Sequence, residues 1–565
     1  SGGTKSYGET LLGFLDNTLT SKGDMVVVLN THVTASGNIL TSSAGTLDFT
    51  YRFQGELAEG SGGEPLVHGV TDNTLTSQGN MALRLDARNV SGNTFYSKAG
   101  NMLLSGIPDS GILVDERVLS GNSLLAQGDI TFDQSLDIKE FNNNLIQSGK
   151  DNLKLLGDIF VNTVIGDGAD QTNPSGKNVA NTFAATRQFT NNAFMSLGSG
   201  SSVSAQLWNL NADAVIYDGG VTIKAPVNAG IVWQGTSRRL TLNGGASHVL
   251  GRLTLNSGEL VLNDGATASA LDVQGTDTGT DMQGRITLND ASTLTFDSME
   301  TIGKVILADD SIEKRMGSIL TIANKNSHIG ELTLSRDSVL SLSKGHLTID
   351  VLRQNGKKTG GEVFVGMGDL TVGSTDWDDN TYFSGSMTAS QGSIYLATGG
   401  EFRLDEVTIS ASSSVSNTGN LYLSSGSSVS ASDWYVNGKA VLTNAGVSLN
   451  NRLLLGGDLY LEGLNDESVW SGWLKNSLSA GEWDALGSDE AKKAKVMALL
   501  GKQAYNLGNV SSSILTPAGG SYPTLSLVNL NDIAQTVRAD VVDGGYFNVS
   551  IDNSELNVSK IQTFG

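Results

Sequence analysis

The side chains in this sequence with the means to do chemistry are few and scattered. Five histidines (His32, His68, His248, His328 and His346) show no H-E-x-x-H motif and no paired spacing, so turn or surface positions are expected for them rather than a metal site. Asp376, Asp378 and Asp379, around Trp377, are the candidates for a structural calcium or a glycan contact, because hard cations take carboxylate oxygens. The competing reading is a solvated loop. Asp309, Asp310 and Glu313, beside Lys314 and Arg315, read as a charged insertion that aids solubility. Ser110, in Pro108-Asp109-Ser110-Gly111, lacks a preceding glycine and any accompanying histidine segment, so a Ser–His–Asp arrangement is not expected there. No pair of acids recurs one repeat apart, as a groove of catalytic carboxylates on a repeating scaffold requires. The expectation is a protein without catalytic or cofactor-binding residues.

Composition narrows the class further. The 565 residues include 69 Gly but only 6 Pro, with 17% charged residues, a balance suited to a turn-rich all-β chain with regularly spaced Leu, Ile and Val. This length exceeds what one ordinary core fills, so several domains or an elongated repeat is expected. The net charge of −22 comes without a Lys/Arg patch, which makes nucleic acid and anionic membranes poor partners. Cysteine is absent, which removes disulfides, thiol nucleophiles and Cys-ligated metals. No apolar run approaches the roughly 18 residues of a membrane span. The opening SGGTKSYGE has neither an initiator Met nor the apolar core of a signal peptide, and reads as a processed or trimmed start.

The elements that would position any site are written in one short phrase. It appears as RLTLN from Arg239 and Arg252, ELVLN from Glu259 and RITLN from Arg285, then as KVILA from Lys304, ILTIA from Ile319, ELTLS from Glu331, VLSLS from Val339 and HLTID from His346. Each copy alternates apolar and polar residues, as a strand with one buried face does, and stops at turn residues such as Asn243-Gly244-Gly245. Leu240, Leu253, Ile286, Leu320, Leu332, Leu340 and Leu347 are expected to face inward as a ladder. From one inward residue to its counterpart, Leu240 to Val261 spans 21 positions, Ile286 to Val305 spans 19 and Leu320 to Leu340 spans 20. A chain that makes short strands and returns at this interval is coiling, which predicts a parallel β-helix; a propeller blade needs about 40 to 45 residues.

A second repeat occupies the first 150 residues: NTLTSKGDM from Asn17, NILTSSAGTL from Asn38, NTLTSQGNM from Asn73 and NTFYSKAGNM from Asn93, with weaker copies from Asn122 and Asn144. Its third residue (Leu19, Leu40, Leu75, Phe95, Leu124) is expected inward. Gly23, Gly45, Gly79, Gly100 and Gly128 are expected at a corner needing positive φ or close backbone approach. The recurring asparagines form either a ladder of stacked amides or a series of independent turn formers. Excursions from the coil are expected near 53–63, 107–115, 162–202 and 373–385, with a short helix a candidate from Val179.

The shaft is assigned to residues 1–465, and residues 466–565 to a capping or assembly region. Trp470, Trp473 and Trp483 cluster there, and a helix is predicted from Ser488, its N-cap, with Val496, Leu499 and Leu500 on one apolar stripe. The last turn of a β-helix leaves N–H and C=O groups unpaired and its core open. Either these residues cover it, or it is left for a second copy to stack on.

The Gly-x-Leu-Thr-Leu phrase with Asn-Gly and Ser-Gly turns, best seen at Arg252–Leu262, Gly284–Leu294 and Gly330–Leu342, resembles the passenger regions of bacterial autotransporters and their associated β-strand repeat. The likeness covers roughly residues 235–460 well and 10–160 loosely. It implies a right-handed parallel β-helix (solenoid), exported to the extracellular space or the outer surface of Gram-negative bacteria, acting in adhesion, aggregation or display. The sequence departs from that pattern in lacking a terminal run of about 10-residue barrel strands. A shaft of about 20 turns at roughly 4.8 Å each would be near 100 Å long. Three functions follow as expectations: an adhesin or display shaft, a subunit that self-associates end-on or laterally into a fibre, and a polysaccharide-binding or polysaccharide-cleaving enzyme. The structural pair is favoured, with a homo-oligomeric partner and a host-surface or glycan ligand. No cofactor beyond a structural calcium is expected.

Overall fold

The computed structural model describes residues 13–562 except 32–33, 54–68, 108–116, 137, 139, 150, 157–178, 225–229, 235, 245, 276–283, 309–316, 355–359, 376–382, 398–399, 425, 464–477, 501, 515–520, 532 and 544–545. The chain forms two compact units, Ser1–Thr276 with Gln283–Ile286, and Asp277–Met282 with Thr287–Gly565. Each is a parallel β-solenoid, and the two together make about 19 turns.

In the first unit the alternating phrase places one side chain per strand on the axis. Leu19, Leu40, Leu75, Phe95, Leu124, Ile146 and Phe183 lie in parallel register on successive turns. From Leu40 onward these are at most 1% exposed, while Leu19, on the first turn, is only half-buried. Larger side chains fill the wider sections. Phe141 stacks on Phe183 at 5.6 Å, Phe183 meets Phe189 at 5.9 Å, and Phe189 meets Trp208 at 5.3 Å. Each such pair adds about 0.5–1.5 kcal/mol beyond the area it buries.

The second unit repeats the principle. Leu294, Leu320, Leu340, Val363, Met387, Ile409, Val429, Val447, Tyr505 and Val537 form one in-register column, none more than 2% exposed. All seven expected ladder residues, Leu240, Leu253, Ile286, Leu320, Leu332, Leu340 and Leu347, are fully buried.

Several sequence expectations are corrected. Leu240 pairs with Leu260 rather than Val261, because ELVLN opens on a charged residue that faces out, so this return is 20 residues. Residues 179–202 are not an excursion or a helix. They form strands Thr182–Ala185, Gln188–Asn191 and Met195–Leu197, with Phe183 and Phe189 supplying the buried face. Gly23, Gly45, Gly79, Gly100 and Gly128 do not have positive φ. Gly45, Gly100 and Gly128 sit where a Cβ would press on the neighbouring turn, whereas Gly23 has nothing within 4 Å.

The largest correction concerns residues 466–565. Helices Ala480–Ala485 and Asp489–Leu500 lie between strands Leu459–Glu462 and Gln503–Asn506, and the parallel stack resumes directly after them. Val447 pairs with Tyr505, 58 positions on, as it would with a residue one ordinary turn away. The helical segment is thus an insertion within the second solenoid, followed by strands up to Asn557–Gln562. Its first helix is closed by a reciprocal cap, in which Ser479 Oγ accepts from the Glu482 N–H and Glu482 accepts from the Ser479 N–H.

Candidate functional site

The corners of the first unit begin with a left-handed residue. Asp16, Gly37, Asp72, Gly92, Gly121, Asn143 and Ala180 have φ between 52° and 66°, and each immediately precedes an asparagine. The amide N–H of that asparagine would lie buried without a partner unless the adjacent turn supplied one. The Oδ1 atom of the next asparagine does so. Asn38 N–H donates to Asn73 Oδ1 at 3.0 Å, and Asn38 Nδ2 donates to the same oxygen at 2.8 Å. The pattern runs from Asn17 through Asn38, Asn73, Asn93, Asn122 and Asn144 to Asn181. The remaining Nδ2 proton donates to a strand carbonyl, as from Asn93 to Val70 O at 2.7 Å. The run ends where Asn181 N–H donates to Ser201 Oγ at 3.1 Å. From Asn38 to Asn181 the asparagines are at most 1% exposed, so of the two readings left open by the sequence the stacked ladder is the one observed. Asn181 itself was not read as a member, because the stretch before it hides the interval.

Charged side chains on the outward faces are paired across turns. Glu259 lies between Arg239 at 2.9 Å and Arg285 at 3.0 Å. Glu331 similarly bonds Lys304 and, at 3.3 Å, Arg353. The alternation of sign in RLTLN, ELVLN and RITLN was visible in the sequence and points to this arrangement. These acids hold neighbouring turns together. Two outward tyrosines of the second unit are likewise covered by cations of their own chain: Arg403 lies 5.4 Å from the Tyr422 ring, and Lys439 lies 5.1 Å from the Tyr460 ring.

Two buried indoles use a device absent from the sequence reading. Trp208 Nε1 donates to Asn191 Oδ1 at 2.8 Å in the first unit, and Trp434 Nε1 donates to Asn417 Oδ1 at 3.1 Å in the second. Both pairs are separated by 17 residues, the one signal that would have revealed them.

Asp376, Asp378 and Asp379, Ser110, His32, His68, Asp309, Asp310 and Glu313 lie outside the described residues, as do Trp470 and Trp473. Among the described residues no group of three or more metal-ligating side chains converges. His346 is a surface residue beside Asp369, and half-buried His328 meets Asp350 at 2.9 Å. His248 departs from the expected surface role. It is fully buried in an inward position, its Nδ1 accepts the Val221 N–H at 3.3 Å, and burial lowers its pKa to about 4. Tyr505 is also fully buried, and its hydroxyl pKa is pushed up by the same desolvation. Of the expected cap residues, Trp483 is half-buried with Lys492 Nζ 4.6 Å from its ring, and Leu499 is 50% exposed rather than packed on a core end. The side chains of Val496 and Leu500 lie outside the described set.

The last described strands of the second unit are paired on one edge among the described residues. Strand Asn548–Asp552 pairs with Thr524–Val528, and Asn557–Gln562 with Ala534–Asp543; among the described residues no strand occupies their other edges. Leu525, Leu527 and Val542 are at most 6% exposed, but their partners Val549, Ile551 and Ile561 on the last turn are 41%, 49% and 68% exposed.

The fold and these features define the class: a parallel β-solenoid with a polar asparagine ladder in its first unit. Compared with known proteins, the chain matches no family model, no curated protein and no solved structure.

Proposed function

We propose that this chain is a non-enzymatic structural protein of the extracellular space or the bacterial outer surface, serving display or adhesion and self-associating through the ends of its solenoid. The observation that carries this reading is the last turn. It combines a ladder edge without a partner among the described residues with Val549, Ile551 and Ile561, apolar residues whose counterparts one turn earlier are buried. An exposed edge of this kind is a template for strand pairing, and burying one such side chain contributes about 1.5–3 kcal/mol. The absence of cysteine and the likeness of the repeat phrase to autotransporter passengers support the extracellular address.

Sedimentation velocity over a wide concentration range, with negative-stain images of the same samples, tests the proposal. The expected result is particles that grow with concentration and revert to single chains when Ile551 and Ile561 are both replaced by Lys. Single chains at every concentration would overturn it, as would release of oligosaccharides from a polysaccharide panel.

A further inference from the structure

Four outward tyrosines of the second unit stand in a regular order. Tyr395 and Tyr435 share one outward column, two turns apart, with Ser416 between them. Tyr422 and Tyr460 share a column on the next face, also two turns apart, with Val441 between them. The two faces meet at the corner of Gly400, Gly419, Gly438 and Gly457, which adds no side chain at those positions. Successive turns therefore carry a tyrosine on alternate flanks of one edge, at a rise of roughly 4.8 Å per turn. Tyr395 is 41% exposed and the other three are half-buried, while the residues beside each of them on its strand face the core.

These rings are held in place by their own chain. The Tyr435 hydroxyl accepts from Arg452 Nη2 at 2.9 Å and donates to Asp433 Oδ2 at 3.4 Å, and the Tyr460 hydroxyl donates to Asp458 Oδ2 at 3.5 Å. Held tyrosines give contact area at little cost in conformational entropy. Tyr435 and Tyr460 each meet one cation among the described residues and Tyr395 meets none, which leaves ring faces for a ligand. Tyr422 is flanked by two, Arg403 at 5.4 Å and Lys439 at 6.0 Å, and offers their N–H donors instead. Arg403 pairs with Glu401 at 3.1 Å and Arg452 with Asp433 at 3.2 Å, so no run of cations is offered to a polyanion, which the net charge of −22 also repels.

Resting on the adhesive role proposed above, we infer that this edge binds an uncharged, extended polysaccharide running along the solenoid axis, with one sugar unit against each tyrosine. The apolar C–H face of a sugar stacks on an aromatic ring, and the hydroxyls at its rim bond carboxylates and guanidinium groups such as those beside these rings. In a straight β-1,4-linked chain each hexose is turned over relative to the one before, and its length is close to the rise of one solenoid turn. That alternation matches tyrosines placed on opposite flanks in successive turns. A chain coiled by α-linkages lacks it.

Isothermal titration calorimetry of the 565-residue protein with cellohexaose, N-acetylchitohexaose, maltohexaose and hexagalacturonate tests the inference. At least one of the two straight neutral hexamers is expected to bind more than about tenfold tighter than maltohexaose and hexagalacturonate. Tyr435→Ala with Tyr460→Ala, which removes one ring from each flank, is expected to weaken that binding more than about tenfold. Tyr435→Phe with Tyr460→Phe should keep most of it, and Tyr96→Ala, at an outward tyrosine of the first unit, should leave it unchanged. Circular dichroism checks that each variant stays folded. No binding of either straight hexamer would overturn the inference, as would binding that survives Tyr435→Ala with Tyr460→Ala, or binding equally tight for maltohexaose or hexagalacturonate. Growth of particles with concentration is read separately, so each of these results leaves self-association standing.

Discussion

The chain returns at a similar interval in both units, but one corner of the first and one corner of the second rest on opposite chemistry. Between Asn17 and Asn181 the first unit fills its corner with a buried amide that bonds the turns on either side. In the second unit Gly400, Gly419, Gly438 and Gly457, spaced 19 residues apart, make a corner without side chains. A Cβ on Gly419 would stand 2.4 Å from Gly400 O, one on Gly438 2.4 Å from Gly419 O, and one on Gly457 2.1 Å from Gly438 O. The first corner is held by what its side chains donate and accept. The second is held by how closely backbones approach once side chains are removed. One therefore fails when atoms are deleted, and the other when they are added.

The sharpest way to break the comparison is Asn122→Ala. It deletes the bonds Asn122 makes to Val90 O at 2.7 Å and Asn144 Oδ1 at 3.0 Å, and those it accepts from the Asn93 N–H at 3.1 Å and Asn93 Nδ2 at 2.9 Å. Buried groups left on both neighbouring turns then lack partners, and the expected loss is about 4 kcal/mol, read by denaturant unfolding of the first unit. If Asn122→Ala costs less than about 1 kcal/mol, the ladder is ornamental.

Acid should distinguish the units next. The folded first unit keeps the His248 imidazole neutral down to about pH 4, while the unfolded chain takes up this proton near its ordinary pKa of about 6.5. Stability from this residue is present above pH 6.5 and is lost as pH falls toward 4, on the order of 3 kcal/mol in all. Hydrogen exchange followed across that window should show the strands around Ser247–Val249 loosening, and His248→Leu should remove the dependence.

Gly438→Ala should cost the second unit about 2 kcal/mol by forcing neighbouring turns apart, whereas Gly23→Ala, with open space around it, should change the melting temperature little. The smallest effect expected is a gain. Ala180 holds a left-handed conformation, φ 54°, at a corner where Gly37, Gly92 and Gly121 serve elsewhere, so Ala180→Gly should stabilise by up to about 1 kcal/mol. A loss at Ala180→Gly would mean that chain entropy outweighs the relief of strain there.

The return interval, the inward leucines and the positions of six of the seven ladder asparagines were legible because each depends on a residue type that must recur. Leu320 and Leu340 share a column, and apolar side chains dominate a closed axis because each polar group there needs its own partner. Conformation was less legible. Of the two alternatives expected at Gly23 and its successors, close backbone approach holds at Gly45, Gly100 and Gly128, while positive φ belongs to another corner, where Asp16, Asp72 and Asn143 adopt it because short polar side chains tolerate that region. The strands from 182 to 197 were hidden because FAATRQFTNN mixes small inward residues with the polar corner, so its alternation does not stand out. The helix from Asp489 was expected, but its place was not. A helical segment inserted between two strands of a solenoid and one that caps its end read alike, because what distinguishes them is whether Tyr505 finds Val447 across the gap.

The most direct test of the stacked corner is the hydrogen exchange of asparagine side-chain amides, followed by NMR on selectively 15N-labelled protein. Nδ2 protons of Asn38, Asn73, Asn93, Asn122 and Asn144, each bonded to the next turn at 2.8–3.2 Å, should be protected by at least about a thousandfold, an opening free energy of roughly 4 kcal/mol. Exchange of these protons at the rate of an exposed asparagine would contradict the ladder and, with it, the register of the turns from Asn17 to Asn181.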